Sequence, residues 1–240
     1  MNNNVFQRHE LKYVVNAAQR RALELGLCEH MIPDSHGEST VCNIYYDTPD
    51  FRLIRQSLEK PIYKEKLRVR SYGCVRPDDK VFLELKKKYR GVVYKRRISL
   101  TQKQAEDYLS KKTSLPSDMQ IGREIEYFCK FYESLEPAVY LCYDRSAYFS
   151  NEDKNLRVTF DNNIRWRTED LSLRASPSGE QLLLPGQSLL EIKSASAMPM
   201  WLVEIMTGAK IRQSSFSKYG KAYENIIRDK LNEKGDVFCA

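Results

Sequence analysis

The stretch from Ile62 to Leu100 constrains the fold more than any other. Tyr63-Lys64-Glu65-Lys66-Leu67-Arg68-Val69-Arg70-Ser71 alternates strictly. Side chains on a strand repeat every two residues, so a strand here puts Lys64, Lys66, Arg68 and Arg70 on one face. Val81 to Lys88 sets Glu84, Lys86 and Lys88 opposite Leu83 and Leu85, and Val93 to Ile98 pairs Lys95 with Arg97. Three successive strands thus carry a basic face. Charge at that density repels itself unless something anionic sits among it.

The same alternation recurs along the chain. Val5 to Val15 reads as a strand with Arg8, Glu10 and Lys12 on one face, and Thr40 to Tyr46 as another. Asp47-Thr48-Pro49-Asp50 ends the latter with a turn signal. Ala138 to Tyr148 aligns Val139, Leu141, Tyr143, Arg145 and Ala147. Leu156 to Asp161 turns Arg157, Thr159 and Asp161 away from its apolar members, Ile164 to Arg167 extends it, and Leu189 to Lys193 places Glu191 beside Lys193. Gly73 with Pro77-Asp78-Asp79, and Tyr89-Arg90-Gly91, are breaks that suit antiparallel hairpins.

Helices are legible between the strands. Asn16 to Gly26 has Asn16 as N-cap and Gly26 as its stop. Phe51 to Leu58 fits one or two turns, and Thr101 caps a helix to Leu109. Gly122 to Leu135 spaces Ile125, Phe128, Cys129 and Tyr132 at helical intervals, with Pro137 beyond it. Ser214 to Lys221 leads into a last helix reaching about Leu231. Trp201 to Met206 fits a short helix or a strand equally well, and the polar run 174–186 reads as a loop.

The 240 residues suit one large β-rich domain or two small ones, and no linker, repeat or low-complexity tract divides them. The formal net charge of +7 favours a polyanionic partner: nucleic acid, a phosphorylated metabolite or an acidic surface. The six cysteines form no CxxC pair and lie at no zinc-finger spacing, so the expectation is free thiols and a cytoplasmic protein. The opening Met-Asn-Asn-Asn-Val-Phe-Gln has no apolar leader, and no run approaches the length of a membrane span.

Two arrangements accommodate the charged faces. They cover the outside of an ordinary barrel or sandwich, or they line a wide, wet barrel whose apolar faces pack outward against the helices. The second gives the helices' apolar stripes a place to bury. It also gives a reason for Glu10, Glu84, Asp161 and Glu191 to recur among cations: such acids pair with them or hold a divalent cation through hard oxygens. A basic tunnel with a few carboxylates suits linear phosphate chains, because Arg grips phosphate oxygens bidentately and Lys supplies point charge.

Arg8-His-Glu-Leu-Lys-Tyr13, Leu67-Arg-Val-Arg70 with Tyr72-Gly73, Leu83-Glu-Leu-Lys86, Lys95-Arg-Arg97, Tyr143-Asp-Arg145, Leu156-Arg157 with Asp161, Leu190-Glu-Ile-Lys193 and Ser217-Lys-Tyr219 together resemble the VTC domain. That is the polyphosphate polymerase domain of the vacuolar transporter chaperone complex, in the triphosphate tunnel metalloenzyme (CYTH-like) superfamily. The resemblance implies an α+β fold over 1–240 as a single domain: an antiparallel β-barrel, the triphosphate tunnel, with helices packed outside. It implies ATP and polyphosphate as partners and a divalent cation, Mn2+ or Mg2+, as cofactor. By position, Lys12, Arg68, Arg70, Lys86, Arg145, Arg157 and Lys218 resemble the catalytic cations. Arg8, Lys66, Lys95, Arg97, Lys193 and Lys221 resemble further substrate-binding ones. Glu191 is similar to the family's metal-holding glutamate, with Glu10, Glu84 and Asp161 as weaker metal or ion-pair candidates.

Hydrolytic members of the superfamily open with Glu-x-Glu-x-Lys, whereas Arg8 stands here for the first acid, which disfavours a plain triphosphatase. Ser215 replaces a lysine found in some members. The expected activity is transfer of the γ-phosphate of ATP to growing polyphosphate. Its rivals are a triphosphatase acting on tripolyphosphate or a nucleoside triphosphate, and a non-catalytic polyphosphate-binding module. A nucleic-acid partner is not expected, since no RNP-like or helix-turn-helix pattern occurs.

Overall fold

The computed structural model describes residues 9–35, 37–90, 92–115 and 120–236. In chain order these are β1 (His9–Val15), α1 (Ala17–His30), β2 (Met31–Pro33), β3 (Ser39–Asp47), α2 (Arg52–Leu58), β4 (Tyr63–Tyr72), β5 (Lys80–Tyr89) and β6 (Val92–Thr101). Then follow α3 (Gln102–Leu109), α4 (Gln120–Phe131), β7 (Glu136–Ser150), β8 (Arg157–Arg167), β9 (Glu180–Gln181), β10 (Ser188–Ser194), α5 (Met200–Gly208) and α6 (Lys218–Asp236). The fold is α+β with one antiparallel sheet, its main path running β1-β10-β8-β7-β3-β4-β5-β6, with β2 on β7 and β9 on β8. Among the described residues the sheet is not closed by hydrogen bonds: β1 and β6 are the ends of the path.

The chain divides into two compact units, with β3, β7 and β8 contributing residues to both. The first comprises 9–41, 143–164 and 183–216. Its core takes the odd residues of β1 (Tyr13, Val15) and the even ones of β8 (Val158, Phe160) and β10 (Leu190, Ile192). Leu23 and Leu27 of α1 and Leu202 and Met206 of α5 cover them. The second comprises 42–142, 165–182 and 217–236. Leu67 and Val69, Val81, Leu83 and Leu85, and Ile98 and Leu100 form the apolar face of β4–β6, under Ala105 of α3 and Ile125 and Phe128 of α4. In each unit, then, the helices bury the apolar face of the strands and leave the charged face clear of that core.

Antiparallel registers hold the faces in step. Lys66 pairs with Lys86, Arg68 with Glu84 and Arg70 with Phe82. On the other side of β5, Glu84 pairs with Arg97 and Lys86 with Lys95. Lys12 lies across from Glu191, and Glu191 from Thr159.

Several local expectations change. Gly26 does not stop α1, which continues to His30. A Cβ there would lie 2.2 Å from Ile205 Cδ1, so the glycine lets α5 approach closely. The two-state segment around Trp201 is helix, and α4 begins at Gln120 and ends at Phe131 rather than spanning Gly122 to Leu135. Both capping boxes form, at Asn16 and at Thr101. Cys28, Cys42, Cys74, Cys129 and Cys142 are free thiols, while Cys239 lies outside the described residues. No helix among the described residues is long and apolar enough to cross a membrane.

Candidate functional site

In the second unit the alternating face gathers around Glu84, which is 1% exposed. Arg68 Nε donates to Glu84 Oε2 at 2.8 Å, and Arg97 Nε donates to Oε1 at 2.6 Å. Lys95 Nζ lies 2.8 Å from Oε1 and Arg70 Nε 3.9 Å from Oε2. One buried carboxylate on β5 thus holds four cations from the two strands that flank it, β4 and β6. Burial opposes its ionisation, but Arg68, Arg70 and Lys95 outweigh burial and hold the carboxyl far below the usual carboxylate range. Burial also pushes the Lys95 ammonium down to about 8, against the pull of Glu84. Lys86 stands between Lys66 and Lys95 in the register. Lys64 donates from Nζ to the Ser57 carbonyl at 3.0 Å, and burial, then Lys88, Lys86 and Lys60, lower its pKa.

Residues outside the alternating basic pattern organise this cluster. Arg70 Nε donates to Asn43 Oδ1 at 2.9 Å, and Arg68 Nη1 to the Tyr45 hydroxyl at 3.0 Å. The Tyr45 ring stacks on Tyr219 at 4.7 Å, and the Tyr219 hydroxyl donates to Asp47 Oδ2 at 2.8 Å. Asp47, fully buried, also accepts from the backbone N–H groups of Thr48, Leu53 and Ile54, which fixes the start of α2. Ser217 Oγ accepts from the Gly220 N–H and from Lys66 Nζ, both at 3.1 Å. That arrangement sets the start of α6, where Lys218 is 8% exposed. Lys221 turns instead to Glu224 on the helix surface, at 2.6 Å.

In the first unit the charged face centres on Asp161 and Glu191. Arg145 grips Asp161 bidentately, Nε to Oδ1 at 2.6 Å and Nη2 to Oδ2 at 2.7 Å, and Nη2 reaches Glu191 Oε2 at 3.4 Å. Burial works against the Arg145 charge, but Tyr143, Asp161 and Glu191 reverse it and raise the guanidinium pKa. Lys12 Nζ lies 3.5 Å from Glu191 and 3.4 Å from Glu10, and Lys193 Nζ lies 3.8 Å from Glu191. Arg157 pairs with Asp34 at 3.5 Å and lies over the Phe149 ring at 4.7 Å. Arg8 falls outside the described residues.

The four acids expected near a metal therefore divide. Glu84 has both oxygens in direct hydrogen bonds to cations of its own unit, at 2.8 Å and 2.6 Å, whereas Glu191 meets Lys12, Arg145 and Lys193 at 3.4 Å or more. Asp161 is taken by the bidentate Arg145. Glu10 and Glu191 flank one ammonium, and Thr159 Oγ1, buried without a hydrogen-bond partner, stands across the register from Glu191. Two carboxylates and a hydroxyl are hard oxygen donors that fit a small divalent ion completed by substrate oxygens and water. They do not make a closed cage: among the described residues no three His, Cys, Asp or Glu side chains gather as a metal cluster.

Sequence reading found the cations because charge alternates in plain view. It missed Asn43, Tyr45, Asp47 and Tyr219, which read as an ordinary strand, a turn signal and a helix start. Tyr45 and Asp47 alternate with apolar Ile44 and Tyr46, so they share a face with Asn43. That alternation was the available signal.

Comparison with known proteins adds family and fold. The chain is 26% identical over 236 residues to vacuolar transporter chaperone complex subunit 4 of Trypanosoma cruzi, covering 82% of this chain. It spans 29% of that relative's length. Its fold is similar to a candidate adenylate cyclase from Bacillus halodurans, with a TM-score of 0.55 at 16% identity over 88% of this chain and 95% of that one. It is also similar to a candidate adenylyl cyclase from Hippeastrum described as having a dominant triphosphatase activity, with a TM-score of 0.50 at 14% identity over 88% and 92%. The VTC domain family matches residues 7–227, nearly the whole chain, and the protein belongs to that family.

Proposed function

We propose that this protein is a polyphosphate polymerase that transfers the γ-phosphoryl group of ATP to the end of an inorganic polyphosphate chain. The observation that carries this reading is the buried Glu84 surrounded by Arg68, Arg70, Lys95 and Arg97 on one face of β4–β6. Such a face is rigid, strongly positive and only partly neutralised, which suits phosphate oxygens. The similarity to a vacuolar transporter chaperone subunit supports the same reading.

In this mechanism the cations do most of the work. Phosphoryl transfer needs positioning and charge stabilisation more than covalent help. In the second unit Arg68, Arg70, Lys86, Lys95, Arg97 and Lys218 bind phosphate oxygens and offset their charge. In the first unit Lys12, Arg145 and Arg157 are cations of the same kind and offer phosphate oxygens the same chemistry. A terminal oxygen of the polyphosphate chain forms the new P–O bond at the γ-phosphorus. The bond to the β–γ bridging oxygen breaks, and ADP leaves with that electron pair. No general base is required, because the attacking phosphate is already anionic at neutral pH. Glu191 and Glu10 would hold the divalent cation, which when bound neutralises phosphate charge. Glu84 positions the arginines rather than meeting substrate.

Incubation with ATP and Mn2+, followed by gel detection of long polyphosphate, tests the reading. Polymer is expected from the wild type, and Glu191→Gln is expected to lose most of it. Orthophosphate released with no polymer favours a triphosphatase instead, and full polymer formation by Glu191→Gln overturns the role given to that residue.

A further inference from the structure

The charged face of β4–β6 is not uniform along its length. In register order, one row holds Arg68, Glu84 and Arg97, and the next holds Arg70, Phe82 and Ser99, about 7 Å further on. Tyr72 stands one more such step along β4, on the same side as Arg70. In the opposite direction the rows are Lys66, Lys86 and Lys95, then Lys64, Lys88 and Val93. The face therefore runs from lysines at one end to an aromatic pair at the other.

That pair is not part of the core. Tyr72 is 53% exposed and points to the face opposite Leu67 and Val69. It meets Phe82 edge-on, with ring centroids 6.0 Å apart at 81°. The Arg97 guanidinium lies 4.4 Å from the Phe82 ring centroid, so the aromatic pair adjoins the cations that hold Glu84. An inorganic phosphate chain has no use for exposed rings. A nucleoside triphosphate has both parts in one molecule: a linear polyanion, and at one end a flat π-system that stacks on aromatic side chains.

We infer that Tyr72 and Phe82 form a nucleobase subsite, so that ATP lies along β4 with its base on Tyr72 and its γ-phosphate toward Lys66 and Lys86. The inference rests on the proposed use of ATP and deepens it: it gives the face a direction, with nucleotide entering at the aromatic end and phosphate chain occupying the lysine end.

Calorimetric binding of ATP and of tripolyphosphate in Mg2+, on the full chain, separates base from phosphate recognition. Tyr72→Ala is expected to weaken ATP binding about tenfold and to leave tripolyphosphate within about twofold. Tyr72→Phe, which keeps the ring, is expected to restore ATP binding. Phe82→Leu is expected to show the same selective loss, and retained tripolyphosphate binding reports in each case that the face is folded. If wild type binds both ligands and Tyr72→Ala weakens them equally, or neither, the subsite is wrong while the polymerase reading stands. If wild type binds neither ligand, the reading of the function fails and takes the subsite with it.

Discussion

At the residue scale the determining feature is a carboxylate that serves cations. Glu84 keeps Arg68, Arg97 and Lys95 fixed at hydrogen-bond distance and lets several positive groups share one face. Without it their repulsion would turn the long side chains outward, away from a common ligand. Lys95 is the titrating member near neutral pH. Its pKa is pushed down to about 8 by burial, so it is charged below that value and loses its charge as pH rises through it. Phosphate affinity is therefore expected to fall as pH rises from 7 to 9.5, with a step near 8. Lys95→Arg should remove that step, because arginine stays charged throughout. Tripolyphosphate binding measured across this range checks it, and a step that persists in Lys95→Arg assigns the titration elsewhere.

At the scale of elements, two helix starts share one acid. Asp47 ends β3, accepts from the Thr48 N–H in the turn and from the Leu53 and Ile54 N–H groups at the start of α2, and accepts from Tyr219 near the start of α6. The same Tyr219 ring backs Tyr45, which takes a hydrogen bond from Arg68. Asp47→Ala removes the acceptor for four donors and is expected to cost about 2–3 kcal/mol of stability. Tyr219→Phe removes one hydrogen bond and is expected to cost about 1 kcal/mol. Because both changes break the same bond, the double variant should lose less than the sum of the two. Urea unfolding of the three variants measures this. Strict additivity would mean that the network does not couple β3 to α6.

For the whole molecule the formal charge of +7 sets the energetics of ligand binding. A polyanion that binds the folded chain relieves repulsion that native contacts leave in place. At about a hundredfold excess over its Kd, such a ligand stabilises by about 2.7 kcal/mol. For a chain of this size that corresponds to a rise in Tm of about 5–10 °C. Tripolyphosphate should produce it, and sulfate at matched ionic strength should produce much less, since simple screening does not need a linear chain. Equal shifts from both ions would reduce the basic face to an ordinary charged surface.

Much of this protein was legible in its sequence because the information is local. A period of two, with Lys66, Arg68 and Arg70 against Leu67 and Val69, tells a strand which side goes to the core, whatever its neighbours are. Caps at Asn16 and Thr101 are equally local, and they formed as expected. What the tertiary structure alone decided is who meets whom. Gly26 looked like a helix stop until α5 was placed against it. Asp47 looked like a turn residue until α6 brought the Tyr219 hydroxyl to Oδ2, which it shares with the Ile54 N–H. Glu84 and Glu191 looked alike as acids among bases, yet Glu84 is held by Arg68, Arg97 and Lys95 within 2.8 Å, whereas Glu191 meets Lys12, Arg145 and Lys193 only at 3.4 to 3.8 Å. Those differences come from contacts between residues far apart in the chain, which register and packing create and which no local pattern encodes.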